Sequence, residues 1–132
     1  WLIRLEPAGA SRTVVNISSG VTEGAFPGMG TYGGTKVALK MTGAVLAAEL
    51  EAAEVAGVFV HSYDPGPVDT PMQTAVRNSS PELLPIVEVF EQFAEQGMLS
   101  RASDHAVAIA DFLENDDKEI YSEQRFSGAP KA

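Results

Sequence analysis

The hydrophobic positions of the chain form short compact runs separated by longer helical patterns. Two runs, residues 13–18 and 58–63, are rich in β-branched and aromatic residues, which is typical of strands buried on both faces of a parallel sheet. Between them, residues 31–56 are rich in Ala, Leu, Glu, Lys and Met and predict one long helix. Gly57 is the expected stop signal for that helix.

The remainder of the chain continues this alternation. The pattern predicts helices over residues 81–96 and 103–114, the second with Ser103 as its N-cap, and a last strand at about 120–126. Strands that alternate with helices indicate an α/β fold with a parallel sheet. We find no internal repeat or linker, so residues 1–132 are expected to belong to one domain.

The long predicted helix carries two apolar stripes rather than one. At 100° per residue the stripes lie nearly opposite each other, and a helix of this kind needs two burial partners. One partner is the sheet of the same chain, and the other is a neighbouring helix of this chain or of a second subunit. The stripes consist of Val37, Met41, Ala44 and Ala48, and of Leu39, Gly43, Leu46 and Leu50.

Composition restricts the function without identifying it. The formal net charge is −9, which disfavours binding to nucleic acid or to an anionic membrane surface. The chain has no cysteine, which excludes disulfides, thiolate catalysis and cysteine-ligated zinc and suits a cytoplasmic protein. No apolar run approaches the length of a membrane span. His61 and His105 lack partners at metal-ligand spacing, so no metal site is expected.

Tyr32 and Lys36 are four residues apart at the start of the predicted helix and therefore share one face. A lysine ammonium and a helix N-terminus both favour the anionic form of a nearby phenol, which suits a tyrosine to proton transfer. Ser19 follows the first predicted strand, at the edge where open α/β sheets bind ligands. Its hydroxyl can hydrogen-bond a substrate oxygen as charge develops there. A Tyr-x-x-x-Lys pair alone is a weak signal, because a helix carries such pairs by chance.

The order of these residues makes the signal specific. A strand ends in Ser18-Ser19, a glycine-containing loop follows, and Tyr32 stands 13 positions after Ser19. This arrangement resembles the short-chain dehydrogenase/reductase family, which has a Rossmann-like, doubly wound parallel sheet. The resemblance implies that Tyr32 is the general acid/base, that Lys36 holds the nicotinamide ribose and that Ser19 orients a carbonyl or alcohol substrate.

A second motif supports the same family. Asp64-Pro65-Gly66-Pro67-Val68-Asp69-Thr70 resembles the family's turn beside the nicotinamide. The resemblance implies that Pro65, Gly66, Val68 and Thr70 contact the cofactor. With the following Met72-Gln73, the segment is most similar to the sepiapterin-reductase branch of the family. Residues 73–98 correspond to the variable substrate lid, in which Phe90, Phe93 and Met98 could equally face a substrate or belong to the core.

The sequence also carries a misleading motif, Gly28-x-Gly30-x-x-Gly33. It has the spacing of a dinucleotide-binding fingerprint, but it does not directly follow a strand, so we reject it. The chain resembles only the second half of the family pattern, and the glycine-rich nucleotide loop has no counterpart. Residues 1–6 would be the end of the preceding helix.

Two hypotheses remain at this stage. In the first, the chain is part of an oxidoreductase that uses NADP, with NAD possible. The full-length enzyme is then expected to form a homodimer or homotetramer. The second is a non-catalytic remnant that acts as a binding or oligomerisation module. The retained Ser19, Tyr32, Lys36 and Thr70 favour the first.

Overall fold

The structure is a computed structural model, and it describes residues 11–128. The prediction for residues 1–6 lies outside the described residues. Three strands and four α-helices follow one another, with a short 3₁₀ helix after the first strand. In chain order they are β1 (Arg12–Ile17), the 3₁₀ helix (Gly20–Glu23), α1 (Gly30–Ala52), β2 (Val58–Asp64), α2 (Pro71–Arg77), α3 (Val87–Glu95), α4 (Ala102–Glu114) and β3 (Tyr121–Arg125).

The three strands form one parallel sheet in the order β1-β2-β3. Ile17 pairs with Tyr63, and Tyr63 pairs with Gln124, so all three strands end at the same edge. The predicted α/β class with a parallel sheet is confirmed, and so are the second predicted strand and the last one.

Helices cover both faces of the sheet, as a doubly wound fold requires. Val60 of β2 points toward Gly43 of α1, whereas the ring of the next residue, His61, stacks on Phe112 of α4 with centroids 3.6 Å apart. Side chains alternate between the faces of a strand, so α1 and α4 lie on opposite faces. The connection from β1 to β2 and the connection from β2 to β3 run in the same direction across the sheet. Because their helices α1 and α4 lie on opposite faces, the two connections have opposite handedness.

One apolar stripe of α1 packs on the sheet and the other faces outward. Ala47 and Leu50 join Val58 and Val60 in the core, and Gly43 is also buried. On the far side Val37, Met41 and Val45 expose 47%, 61% and 48% of their surface. The predicted pair of stripes is thus present, and within residues 11–128 the second stripe has no covering element.

The predicted burial of the first strand was wrong. The residues of β1 are half-buried, and Ile17 at its end is exposed. This strand forms one edge of the described sheet, and only α1 covers it within the described residues. The prediction of a strand buried on both faces fits β2, in which Val60 and Tyr63 have no exposed surface.

The predicted end of the long helix was also wrong. Helix α1 ends at Ala52, five residues before Gly57. The N–H of Val55 donates to the carbonyl oxygen of Leu50 (2.9 Å) and the N–H of Glu54 to that of Glu51 (3.0 Å). This is a Schellman motif, in which Glu54 occupies the left-handed position (φ 53°) that glycine usually takes. Val55 then packs beside Leu50 in the core, and this apolar contact closes the helix early.

The helices between β2 and β3 differ from the predictions at their starts. The helix predicted over residues 81–96 begins only at Val87, because Pro85 lacks an N–H and interrupts a helix. Helix α2 was not predicted, although Pro71 stands at its first position. Helix α4 begins at Ala102 after Arg101, so Ser103 lies inside the first turn and is not the N-cap.

Candidate active site

Ser19 lies in the first turn after β1. Its backbone is extended, and it is the N-cap of the 3₁₀ helix, with its Oγ accepting a long hydrogen bond from the N–H of Val21 (3.4 Å). The Ser19 carbonyl oxygen accepts from the N–H of Thr22 (3.0 Å). The turn is therefore fixed by its main chain, and within residues 11–128 the Ser19 hydroxyl proton has no acceptor.

A glycine allows this turn to approach the start of α1. A Cβ atom on Gly33 would lie 3.3 Å from Cγ2 of Val21, which is tighter than ordinary van der Waals contact. Val21 belongs to the turn that Ser19 caps, and Gly33 follows Tyr32 in α1. The sequence around the tyrosine therefore brings the turn of Ser19 and the helix of Tyr32 into contact.

Tyr32 and Lys36 share one face of α1, as predicted. The Lys36 Nζ lies 5.7 Å from the centroid of the Tyr32 ring and donates a hydrogen bond to the carbonyl oxygen of Ile17 (2.8 Å). Because Ile17 is the last residue of β1, this bond fixes the lysine at the edge of the sheet where Ser19 follows. The ammonium retains two further protons for other acceptors.

The predicted cofactor turn leaves the neighbouring strand at the same edge. Ser18 donates its N–H to the carbonyl oxygen of Tyr63 (2.7 Å), which places the turn of Ser19 beside the end of β2. The carboxylate of Asp64 accepts from the N–H of Gly66 (2.9 Å), and Gly66 has a left-handed backbone (φ 66°). Pro65, Gly66, Val68 and Thr70 are all half-buried here.

An ion-pair group on the α1 side of the sheet was missed by the sequence analysis. Lys40 Nζ lies 3.1 Å from Glu23 of the 3₁₀ helix and 2.9 Å from Glu123 of β3. The hydroxyl of Thr22 and then Lys40 lower the pKa of Glu23, and the hydrogen bond from Lys40 lowers that of Glu123. Lys40 thereby ties the turn of Ser19 to α1 and β3. Lys40 and Glu23 are far apart in sequence, so no local pattern shows the pair.

These charged side chains surround an open pocket of about 340 Å³. Arg125, which is 3.4 Å from the Asp64 carboxylate, closes one side of it. Ser19, Tyr32 and Lys36 do not line this pocket. Its lining residues are Ser18, Thr22, Glu23, Lys40, Ser62, Asp64, Glu123, Gln124 and Arg125.

A second group that the sequence analysis missed lies behind the turn from Pro65 to Thr70. The Tyr63 hydroxyl is 2.8 Å from His105 Nδ1, and His105 Nε2 is 2.7 Å from the hydroxyl of Ser100. Ser100 in turn lies beside Pro67 of the turn, whose carbonyl oxygen accepts both its hydroxyl (3.1 Å) and its N–H (3.0 Å). The sequence analysis considered His105 only as a metal ligand, because its partners Tyr63 and Ser100 come from separate segments of the chain.

The predicted lid residues remain divided between core and surface. Phe90 and Phe93 are half-buried and meet edge to face, with centroids 6.0 Å apart, whereas Met98 is 52% exposed. Helices α2 and α3 pack on each other in this segment.

The glycine motif at residues 28–33 is not a dinucleotide loop in this fold. The 3₁₀ helix and a loop separate it from β1. Gly28 has a left-handed backbone (φ 82°), and a Cβ atom there would lie 2.9 Å from Leu84. Gly28 therefore serves the packing of the 83–84 segment. Among residues 11–128 no group of three or more His, Cys, Asp or Glu side chains could hold a metal ion, and no helix is long and apolar enough to cross a membrane.

Comparison with known proteins decides the family. A family model described as short chain dehydrogenase matches residues 4–81, which is more than half of the chain and includes Ser19, Tyr32, Lys36 and the turn from Pro65 to Thr70. The chain belongs to the short-chain dehydrogenase family. The family resemblance predicted from its motifs is confirmed.

The similarity to the sepiapterin-reductase branch is also confirmed. The chain is 39% identical to sepiapterin reductase of Bos taurus over 110 residues, which are 82% of this chain and 38% of the relative. Against sepiapterin reductase of Meriones unguiculatus the identity is 48% over 77 residues, which are 57% of this chain and 28% of the relative. It is 33% identical to benzil reductase ((S)-benzoin forming) of Bacillus subtilis (strain 168) over 96 residues, which are 73% of this chain and 39% of the relative. The chain spans no more than about two fifths of the length of these relatives.

Proposed function

We propose that this chain supplies the proton-transfer part of an NAD(P)H-dependent oxidoreductase that reduces a carbonyl or oxidises the corresponding alcohol. The observation that carries the proposal is the position of Lys36. Its ammonium is held by the last carbonyl of β1, one helical turn from Tyr32 and beside the turn that Ser19 caps. A tyrosine, a fixed cation and a serine hydroxyl at one sheet edge suit proton transfer to a substrate oxygen.

The residues around Gly66 are suited to the nicotinamide end of such a cofactor. A Cβ atom on Gly66 would meet nothing within 4 Å, so a flat ring has room against the main chain there. Thr70 is the N-cap of α2, but its side chain makes no capping hydrogen bond. Its hydroxyl is therefore available to a carboxamide, and the main chain of Val68 lies two residues before it. Pro65 would form the adjoining wall of the site.

In the proposed reaction a bound nicotinamide supplies the hydride. Tyr32 donates the proton to the substrate oxygen and recovers it in the reverse direction. Ser19 donates its hydroxyl proton to the same oxygen and holds it in place. Lys36 uses its remaining N–H groups to hold the ribose hydroxyls. The hydrogen bond of Lys36 to Ile17 and the capping position of Ser19 support these roles.

The substrate is proposed as a small-molecule carbonyl compound. The relatives are named for the reduction of sepiapterin and of benzil, and both names support a carbonyl reductase. We favour NADP over NAD. Because Gly28, Gly30 and Gly33 do not form a dinucleotide loop, we expect the chain by itself to be inactive and to bind NADPH weakly. A cytoplasmic location and the lack of nucleic-acid and membrane partners stay predictions.

The proposal is tested by Tyr32→Phe in the longest natural gene product that contains these 132 residues. The substitution removes the transferable proton and leaves the ring, so turnover should fall by about 10²-fold or more while the Kd for NADPH stays nearly constant. Tyr121→Phe is the matched control, because the Tyr121 hydroxyl bonds to Glu123 (2.7 Å). The control should keep full turnover. Unchanged turnover in Tyr32→Phe would refute the role assigned to Tyr32.

The outward stripe of α1 supports a second role, in assembly. Val37, Met41 and Val45 form an exposed apolar row, and we propose that a second subunit covers it, giving the predicted homodimer or homotetramer. This row alone would also suit a non-catalytic binding module. Met41→Lys should lower the mass measured by sedimentation, and loss of assembly without loss of Tyr32-dependent turnover would separate the two roles.

A further inference from the structure

Four groups from separate segments form a continuous row of hydrogen bonds behind the turn from Pro65 to Thr70. The row runs from the Tyr63 hydroxyl through both ring nitrogens of His105 to the Ser100 hydroxyl and the Pro67 carbonyl oxygen, with distances of 2.8, 2.7 and 3.1 Å. Tyr63 and His105 are buried. Buried polar groups of this kind must satisfy one another, because water cannot replace a missing partner.

The positions of the protons follow from the identity of the acceptors. The Pro67 carbonyl can only accept, so the Ser100 hydroxyl donates to it and accepts from His105. His105 then carries its proton on Nε2, and its bare Nδ1 accepts the hydroxyl proton of Tyr63. In the opposite arrangement the Tyr63 hydroxyl would accept from His105, and its own proton would have no acceptor among the described residues. Only the first arrangement gives every proton in the row a partner.

This row is attached to the cofactor turn at several points. The N–H of Ser100 donates to the same Pro67 oxygen (3.0 Å), and the N–H of Asp69 donates to the carbonyl oxygen of Ser100 (2.8 Å). Val68 and Ser100 form a parallel bridge. The segment at Ser100 therefore acts as a short strand along residues 67–69. The Ser100 side chain adds the contact that depends on the tautomer of His105.

We propose that His105 and Ser100 are positioning residues, which hold the turn from Pro65 to Thr70 in the conformation that receives the nicotinamide. The inference rests on the proposed function. Its physical basis is that the main chain of Val68 and the Thr70 hydroxyl must be placed within hydrogen-bond reach of one carboxamide before the cofactor arrives. A turn with a left-handed glycine and two prolines has few internal hydrogen bonds, so its position is set from outside.

The surroundings of His105 favour the neutral ring that this role needs. Burial lowers the pKa of His105, and the nearby Asp104 carboxylate opposes this only in part. The ring of Phe126 packs against it with centroids 4.4 Å apart. The other groups that face the ring are the uncharged hydroxyls of Tyr63 and Ser100.

The test compares Ser100→Ala, Ser100→Thr and Thr70→Ala in the longest natural gene product that contains this chain. Ser100→Ala removes both hydrogen bonds of the hydroxyl, the one to the Pro67 carbonyl oxygen and the one from His105, and should raise the Kd for NADPH, measured by fluorescence titration, by about fivefold to tenfold. Ser100→Thr keeps the hydroxyl and should restore most of the affinity. If Ser100 acts through the turn, the effects of Ser100→Ala and Thr70→Ala are less than additive in the double variant. An unchanged Kd in Ser100→Ala, or full additivity, would overturn the proposal.

A second measurement is independent of the cofactor. Nitrogen-15 NMR of the imidazole should find the proton of His105 on Nε2 at neutral pH, and amide hydrogen exchange at Asp69 should accelerate in Ser100→Ala. A proton on Nδ1, or unchanged exchange, would contradict the proposal. If the unaltered protein reduces no carbonyl with NADPH or NADH, the proposed function fails, whereas these two readouts still decide whether the row of hydrogen bonds fixes the turn.

Discussion

The ammonium of Lys36 donates a 2.8 Å hydrogen bond to the carbonyl oxygen of Ile17, 19 positions earlier in the chain. Ile17 is the last residue of β1, so the bond joins the first turns of α1 to the edge of the sheet. It removes the freedom of a long side chain at the point where the candidate active site needs a fixed charge. The position of Lys36 is therefore set by the strand as well as by the helix that carries it.

Replacing Lys36 with methionine should separate its proposed roles in the reaction and in cofactor binding from its contribution to stability. The methionine keeps the apolar stem but loses the charge and the bond to Ile17. We expect turnover to fall by about 10²-fold or more and the Kd for NADPH to rise. The exposed Lys36 bond should contribute only about 1 kcal/mol to the free energy of unfolding. Steady-state kinetics and chemical denaturation measure the two effects.

Lys36→Arg is the control for charge. It keeps the cation, but the planar guanidinium cannot reproduce the compact geometry of an ammonium. We expect stability near that of the unaltered protein and turnover between those of the two other forms. Full activity in Lys36→Met would show that the ammonium has no part in the reaction.

Two glycines of α1 should respond in opposite ways to replacement by alanine. A Cβ atom on Gly43 would lie 2.5 Å from Nδ2 of Asn16 and 3.3 Å from Cγ1 of the buried Val60. Gly43→Ala should therefore destabilise the fold, since overpacking costs about 1–3 kcal/mol and exceeds the gain in helix propensity. Thermal unfolding followed by circular dichroism measures the change.

Gly34→Ala provides the matched comparison within the same helix. A Cβ atom on Gly34 would meet nothing within 4 Å, so only the helix propensity changes, and the fold should gain about 0.5–1 kcal/mol. A gain at both positions would mean that α1 can move away from the sheet at Gly43. A loss at both would mean that the start of α1 needs a glycine at position 34 for another reason.

The sequence predicted those features that depend on local patterns and on the order of motifs. The strands at 58–63 and 120–126, the parallel sheet and the shared face of Tyr32 and Lys36 all follow from spacing along the chain. Helix ends were harder, because they depend on competition between neighbours. At the end of α1, the stabilisation from the apolar contact of Val55 outweighs the energetic cost of the left-handed backbone at Glu54. No sequence rule favours glutamate at that position.

Contacts between distant segments could not be predicted at all. His105 meets Tyr63 and Ser100 only because α4 returns on the face of the sheet opposite to α1, and a sequence pattern does not specify the hand of that connection. The same applies to Lys40, whose two carboxylate partners are 17 positions before it and in β3. The residues that hold the candidate site in place are thus harder to find than the residues that would carry the chemistry.

Glu54→Gly should stabilise the fold. A glutamate in the left-handed region (φ 53°) costs roughly 1 kcal/mol, and glycine adopts that backbone freely. We expect the free energy of unfolding in urea to rise by about 0.5–1 kcal/mol. Glu51→Gly is the control, because Glu51 is an exposed residue within α1. Its free energy of unfolding should fall by about 1 kcal/mol. A loss in Glu54→Gly would mean that the helix does not end in the Schellman motif.

The last prediction concerns the dependence of the Lys40 ion pairs on pH. Glu23 and Glu123 both have a pKa lowered from the ordinary value of 4.5. A carboxylate whose folded pKa is lowered stabilises the fold above its unfolded pKa and loses that contribution as the pH falls through the folded value. The difference in Tm between the unaltered protein and Lys40→Met should therefore be constant near pH 7 and shrink below about pH 4.5.

Salt and a second variant distinguish this effect from general acid unfolding. The side chains of Glu23 and Glu123 are 60% and 46% exposed, so 1 M sodium chloride should reduce the difference in Tm at pH 7 as well. Arg77→Met is the control, since Arg77 bonds to the uncharged side chains of Gln73 and Thr74. Its effect on Tm should not change between pH 7 and pH 4. If the effect of Lys40→Met on Tm is also the same at pH 7 and pH 4, then Lys40 holds the turn of Ser19 by packing alone, and its charge does not contribute.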